Sequence, residues 1–291
     1  MKLRITNKIF LFSFFLVLVF VKYLLVSNAI GPIIFSDELV YRINAEKLFR
    51  HEMFNTMHYP PLYSLLLSAA FFSKENWYAW MLFINVLISS SVVVPVWLIS
   101  IGLLQKSSAW FVIIITGLWS FHVTYPRVVM SENLYVPLFL FSVLLLLKTE
   151  KESEKQNLAS QAFFGVIMAL TYLTKYIHLV AIPVLIILWL IKPLFREGGM
   201  KGNIFDGSRL SGIPAILAGF VLTYIPWMIY AHSSSATLAQ AMGSKFVSNG
   251  IGDFATLKSL IVWTGFYMSY VVLMLAPYLL VFSLYLFFNF C

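Results

Sequence analysis

Eight residues, grouped at four places in the chain, could do chemistry together. Asp37 and Glu38 follow Ser36 near the end of an apolar run, and His58-Tyr59 runs into Pro60-Pro61-Leu62-Tyr63 about twenty residues later. Arg127 and Glu132 lie in the stretch Tyr125-Pro126-Arg127-Val128-Val129-Met130-Ser131-Glu132-Asn133, and Lys175 and His178 follow Leu173-Thr174. Carboxylates of this kind can take a proton from a hydroxyl, and basic side chains can hold an anion. Each piece also has a plainer use. Ser before Asp-Glu, or before Glu132, is what a helix N-terminus favours for capping and for its dipole, and Lys175 alone fits an interface anchor. Against that, ionisable groups at membrane depth are costly and tend to face a site.

Membrane depth is the setting that composition dictates. Of 291 residues, 60% are hydrophobic, 17% aromatic and 11% charged, against roughly 25% charged in soluble domains. The apolar residues come in unbroken runs, so lipid is their solvent. The net charge of +8 is scattered singly between those runs; it orients a membrane protein and forms no stripe for nucleic acid. Cys291 is the sole cysteine, which excludes an intrachain disulfide. The start, with Lys2, Arg4 and Lys8 ahead of an apolar run, also fits a signal peptide with Ser27-Asn28-Ala29 as a weak cleavage site. A retained helix is preferred, with Lys22 snorkelling to the headgroups.

The expected fold is all-α, a polytopic membrane protein with about eight transmembrane helices in a single domain, 1–291. The spans are 9–27, 78–104, 109–124, 132–148, 160–175, 177–192, 210–231 and 259–283. The segment 62–73 is apolar but only about 18 Å long as a helix, too short to cross. With the N-terminus inside, 11 of the 20 Lys and Arg fall on inner segments and 8 on outer ones, Lys22 lying within the first span. Letting 62–73 cross would reverse that bias against the positive-inside rule. The run 160–192 is split at Lys175 because one straight helix would overshoot the bilayer by about 20 Å.

The first outer loop, 28–77, then carries two juxtamembrane helices. In one of them Tyr41, Ala45, Leu48 and Phe49 share an apolar face. The outer face gathers all eight residues named above. The chain ends in apolar sequence, so it reads as the front part of a longer protein.

Four pieces in this order, Ser36-Asp37-Glu38, Tyr59-Pro60-Pro61-Leu62-Tyr63, Ser131-Glu132-Asn133-Leu134 and Leu173-Thr174-Lys175, resemble a known family over about residues 9–192. They are similar to the membrane glycosyltransferases that use polyprenyl-phosphate sugars, among them the protein O-mannosyltransferases and the aminoarabinose transferases of lipid A. The resemblance implies an inverting transfer of a sugar from the lipid carrier to a protein, lipid or glycan acceptor at the extracytoplasmic face of the plasma membrane. It implies Asp37 as the base, Glu38 as its acidic neighbour, Glu132 as a second acidic position that approaches a divalent cation or the acceptor, and Lys175 near the donor phosphate. No other cofactor is implied. A sugar phosphate leaves as an anion without needing a proton, so one carboxylate base suffices. Arg127, Lys175, protonated His58 or a cation on Glu132 could meet the developing charge, with Tyr59 and His178 completing the donor site. The family usually continues through further crossings and an outer domain, which leaves acceptor recognition open. A transporter or lipid flippase is the main rival, although such proteins put their ionisable sites at mid-membrane. An inactive membrane subunit is the third reading.

Overall fold

A computed structural model of the chain describes residues 5–28, 36–54, 59–119, 123–148, 158–191 and 212–233. Among these residues all regular structure is helical. The order is α1 (Ile5–Ser27), α2 (Ser36–Phe49), α3 (Pro61–Ser68), α4 (Trp77–Ser90), α5 (Val93–Leu103), α6 (Lys106–Leu118), α7 (Glu132–Lys148), α8 (Leu158–Tyr172), α9 (His178–Ile191) and α10 (Gly212–Ser233). Short 3-10 turns at Ala69–Phe72 and Tyr125–Arg127 complete it.

Among the described residues three helical stretches are long and apolar enough to cross a membrane, Asn7–Ser27, Trp77–Leu103 and Gly212–Ala231. Their surfaces suit lipid. In α1 only the stripe Leu18, Lys22 and Val26 is buried, one residue per turn, while Phe12 and Phe20 are more than 60% exposed. Such a face would aggregate in water. Eight crossings were expected; the 132–148 span is met in full by α7, whose 17 residues fall short of a candidate crossing, and the other remaining helices are shorter than their expected spans. The 109–124 span is met by an apolar helix that ends at Leu118, and the 160–175 and 177–192 spans by Leu158–Tyr172 and His178–Leu190. The expected span 259–283 lies outside the described residues, as do the outer loop 232–258, most of the inner loops and His58.

The long stretch Trp77–Leu103 bends between α4 and α5. Pro95 has no N–H to return to the Ser91 carbonyl, which instead takes the Val94 amide at 3.0 Å, and the Ser91 hydroxyl donates to Ile88 O at 2.6 Å. Pro60 and Pro61 fix the entry to α3. The Leu62 amide, left over at this helix start, donates to the Leu173 carbonyl at the end of α8, at 3.0 Å. Two sequence pieces 111 residues apart are thereby joined by one backbone hydrogen bond.

Two expectations are corrected. Helix α2 does not lie bare on a membrane: Tyr41 and Ala45 are buried as the apolar pattern requires, but so are Glu38 and Asn44. Lys22 does not snorkel. It is fully buried, and its Nζ donates to Ser89 Oγ of α4 at 3.3 Å.

Candidate functional site

One end of the helices collects most of the predicted residues. Asp37, in the first turn of α2, accepts a hydrogen bond from the Tyr59 hydroxyl at 2.6 Å. Burial, and then the Asp37 carboxylate itself, hold the Tyr59 hydroxyl well above its ordinary pKa, so Tyr59 is the donor at any physiological pH. Glu38 turns the other way and receives the Val129 amide at 3.4 Å. Burial pushes its carboxyl above the usual range, opposed by that amide and by the Tyr78 hydroxyl.

Glu132 opens α7. Its carboxylate forms an ion pair with Lys175, at the turn between α8 and α9. The Ser131 hydroxyl reaches Glu132 Oε2 at 3.5 Å, while the Ser131 carbonyl accepts the Leu134 and Tyr135 amides. Ser131 therefore caps α7 with its backbone and directs its side chain into the polar cluster. The pair is mostly withdrawn from solvent, with side chains 28% and 8% exposed for Lys175 and Glu132.

Tyr41 connects these groups. It is buried, and after burial the charges of Glu132 and Asp37 both raise its pKa, offset by a hydrogen bond with Ser131. Its ring meets Tyr59 edge-on at 5.2 Å and Tyr63 at 4.9 Å. Tyr63 in turn donates to Asn85 Oδ1 at 2.6 Å. The Asn85 amide donates to Val128 O at 3.2 Å, and the Asn133 amide donates to Val128 O and Met130 O at 3.1 and 3.2 Å. These two asparagines hold the irregular loop that delivers Ser131 and Glu132. A small cavity of about 10 Å³, room for about one water, lies beneath Glu132 and is lined also by Ser89, Tyr125 and Asn133.

The structure thus brings Asp37, Glu38, Tyr59, Glu132 and Lys175 to one place. Arg127 is exposed on its 3-10 turn at the rim. His178 is not presented to the cluster: it is fully buried, its ring packs edge-on against Tyr135 and Phe139 at 5.9 Å each, and neither ring nitrogen has a hydrogen-bond partner among the described residues. Among the described residues no group of three His, Cys, Asp or Glu is arranged to hold a metal ion. Tyr41, Asn85, Asn133 and Lys22 were not singled out as site residues by sequence. An Asn within an otherwise apolar span was the available signal for Asn85, and a Lys within one was the signal for Lys22. No family model matches the chain, and neither a curated protein nor a solved structure matches it.

Chemically, the arrangement offers a carboxylate positioned by a phenol, a second carboxylate pushed toward its protonated form, and a third paired with a lysine. A base and a preset positive charge on one surface suit transfer to a hydroxyl with an anionic leaving group.

Proposed function

We propose that this chain is a multi-pass glycosyltransferase of the plasma membrane that moves a sugar from a polyprenyl-phosphate donor to an acceptor hydroxyl at the extracytoplasmic face. The N-terminus would be cytoplasmic, and eight crossings would carry the site. The observation that carries the reading is that α2, whose Asp37 is held by Tyr59, reaches the loop before Glu132 through Glu38 and the Val129 amide, with Lys175 already on Glu132. Four weak sequence pieces, far apart in the chain, meet there.

In this reading Asp37 takes the acceptor proton as the acceptor oxygen attacks the anomeric carbon. The bond from that carbon to the donor phosphate breaks, and the phosphate leaves as an anion bound to its lipid. Tyr59 holds Asp37 in place. Lys175 and Arg127 supply positive charge for the leaving phosphate. Lipid reaches the site sideways between helices, which fits the bare apolar faces of α1 and α10.

The test is Asp37→Asn in the purified full chain, assayed with a polyprenyl-phosphate sugar. Turnover should fall by about a hundredfold or more, because the shape stays and the proton acceptor goes. Under a capping role the change would be nearly silent, since Asn caps about as well as Asp. Full activity in Asp37→Asn would end the assignment of the base.

One observation favours the rival transporter reading, namely Lys22, a cation buried within a span with a neutral serine as its hydrogen-bond partner. Lys22→Met separates the two. It should abolish substrate movement by a transporter, and should leave sugar transfer on the outer face within a few-fold.

A further inference from the structure

We infer that Arg42 binds the phosphate of a membrane lipid at the outer rim of the site. Arg42 lies one turn beyond Glu38 on α2. Its guanidinium carbon sits 4.5 Å from the centre of the Trp77 ring, over the face of the indole. That ring is braced from elsewhere: Phe71 stacks with it at 5.7 Å and 9°, and Tyr78 meets it edge-on at 5.6 Å. The guanidinium is therefore seated on a braced ring before any ligand arrives. Stacking satisfies its charge in part but none of its five N–H donors.

The Nε of Arg42 is buried and has no hydrogen-bond partner among the described residues. An orphaned charged donor of this kind costs free energy until an acceptor reaches it. Among the described residues Arg42 forms no ion pair, whereas Arg50 pairs with Glu46 and Lys175 with Glu132.

The surroundings name the ligand class. Phe72, beside the aromatic pair, is 82% exposed, and Trp, Tyr and Phe gathered at a helix end mark the headgroup level of a bilayer. Phosphate is the anion concentrated at that depth. It is also the anion whose oxygens match the planar fork of arginine, where a lysine would act only as a point charge. The source is either the lipid-linked donor or a bulk phospholipid headgroup. Assignment to the donor rests on the glycosyltransferase reading, whereas the phosphate site itself does not.

The experiment uses the full chain in dodecyl maltoside micelles, which carry no phosphate, with a fluorescent polyprenyl phosphate as one probe and a fluorescent phosphatidylglycerol as the other. Arg42→Gln should weaken the bound probe at least tenfold, and Arg50→Gln, on the exposed end of the same helix, should change it less than twofold. Loss of polyprenyl phosphate alone assigns the site to the donor; equal loss of both probes assigns it to lipid headgroups in general. Wild-type protein that binds phosphatidylglycerol through Arg42 but not polyprenyl phosphate would keep the site and remove the glycosyltransferase reading. Polyprenyl phosphate held equally well by wild type and Arg42→Gln would remove the site and keep that reading. Binding of neither probe by wild type would also overturn the site. Should Arg42→Gln fail to fold, butanedione labelling of wild-type Arg42, read by mass spectrometry, decides instead. Added lipid phosphate should protect Arg42 at least fivefold, and unchanged labelling with both lipids would refute the proposal.

Discussion

Glu38 and Glu132 are both buried, yet the protein answers each charge differently. Glu132 receives a lysine. Glu38 receives one amide at 3.4 Å, its Oε1 has no hydrogen-bond partner among the described residues, and burial raises its pKa. A carboxyl raised in the folded state stabilises the fold fully below its unfolded pKa near 4.5, and that contribution is lost as pH rises through the folded value. Glu38→Gln removes the cost of the buried charge and keeps an acceptor for the Val129 amide. Its melting temperature in detergent, relative to wild type, should therefore climb as pH rises from 4 to 7, and at pH 7 it should equal or exceed wild type. A variant that loses ground with rising pH would mean that Glu38 is a well-satisfied carboxylate. Sequence marked Glu38 as a candidate but could not weigh its environment, because the Val129 amide and Tyr78 come from distant elements. Tyr41 shows the opposite blindness. Its place in an apolar helical pattern is met, since the ring is core, but the hydroxyl at the tip of that ring lies in the field of both carboxylates. Periodicity reports where a ring points and says nothing of what its last atom touches.

Helix α8 and helix α10 approach more closely than side chains allow. A Cβ added at Gly165 would stand 1.9 Å from Ile216 O, and one at Gly219 would stand 2.0 Å from Ala162 O. Both contacts are with backbone, so only a shift of a whole helix could relieve them. Small residues at such crossings are how membrane helices gain packing where the hydrophobic effect between them is absent. Gly165→Ala or Gly219→Ala should each destabilise by about 2 kcal/mol or more, as overpacked cores do, read as the midpoint of unfolding in a mixed-detergent titration. Gly102→Ala, with nothing within 4 Å, is the matched control and should be close to neutral. The same closeness bears on the site, because α8 ends in the Leu173 carbonyl that receives Leu62 and in the turn that carries Lys175. Helix types and rough positions were legible from apolar runs and from prolines such as Pro60 and Pro61. The glycine crossing was not, since a glycine in an apolar run has no partner until the chain is folded.

For the molecule as a whole, the open question is whether the chain between α5 and α7 crosses the bilayer. Helix Ser107–Leu118 spans about 18 Å, well short of a hydrocarbon core near 30 Å, so a helix alone does not complete the passage. Of the chain that follows, residues 128–131 are irregular backbone, which lipid does not tolerate unless protein surrounds it and satisfies its polar groups. The structure meets that condition at the carbonyls of Val128 and Met130, which take the amides of Asn85 and Asn133. Asn85 lies eight residues into α4, roughly 12 Å along its axis from Trp77, so this loop is held below the helix end. The charge bias of 11 inner against 8 outer basic residues requires the same crossing, since it sets Lys106 inside and Lys175 outside. Glu132 is a poor reporter of this because it is buried, whereas Gln105 and Arg127 are exposed. Single cysteines at 105 and 127 in a Cys291→Ser background, labelled in intact cells with a membrane-impermeant maleimide, should react from opposite sides, 127 from outside and 105 only after permeabilisation. Labelling of both from one side would mean that α6 and its loop form a re-entrant hairpin. The expected eight crossings would then lose one, and every later segment would change sides, carrying Lys175 away from the face that holds Asp37. The ion pair between Lys175 and Glu132, together with the Leu62 to Leu173 hydrogen bond, ties those segments to one face, so the crossing is the expected outcome.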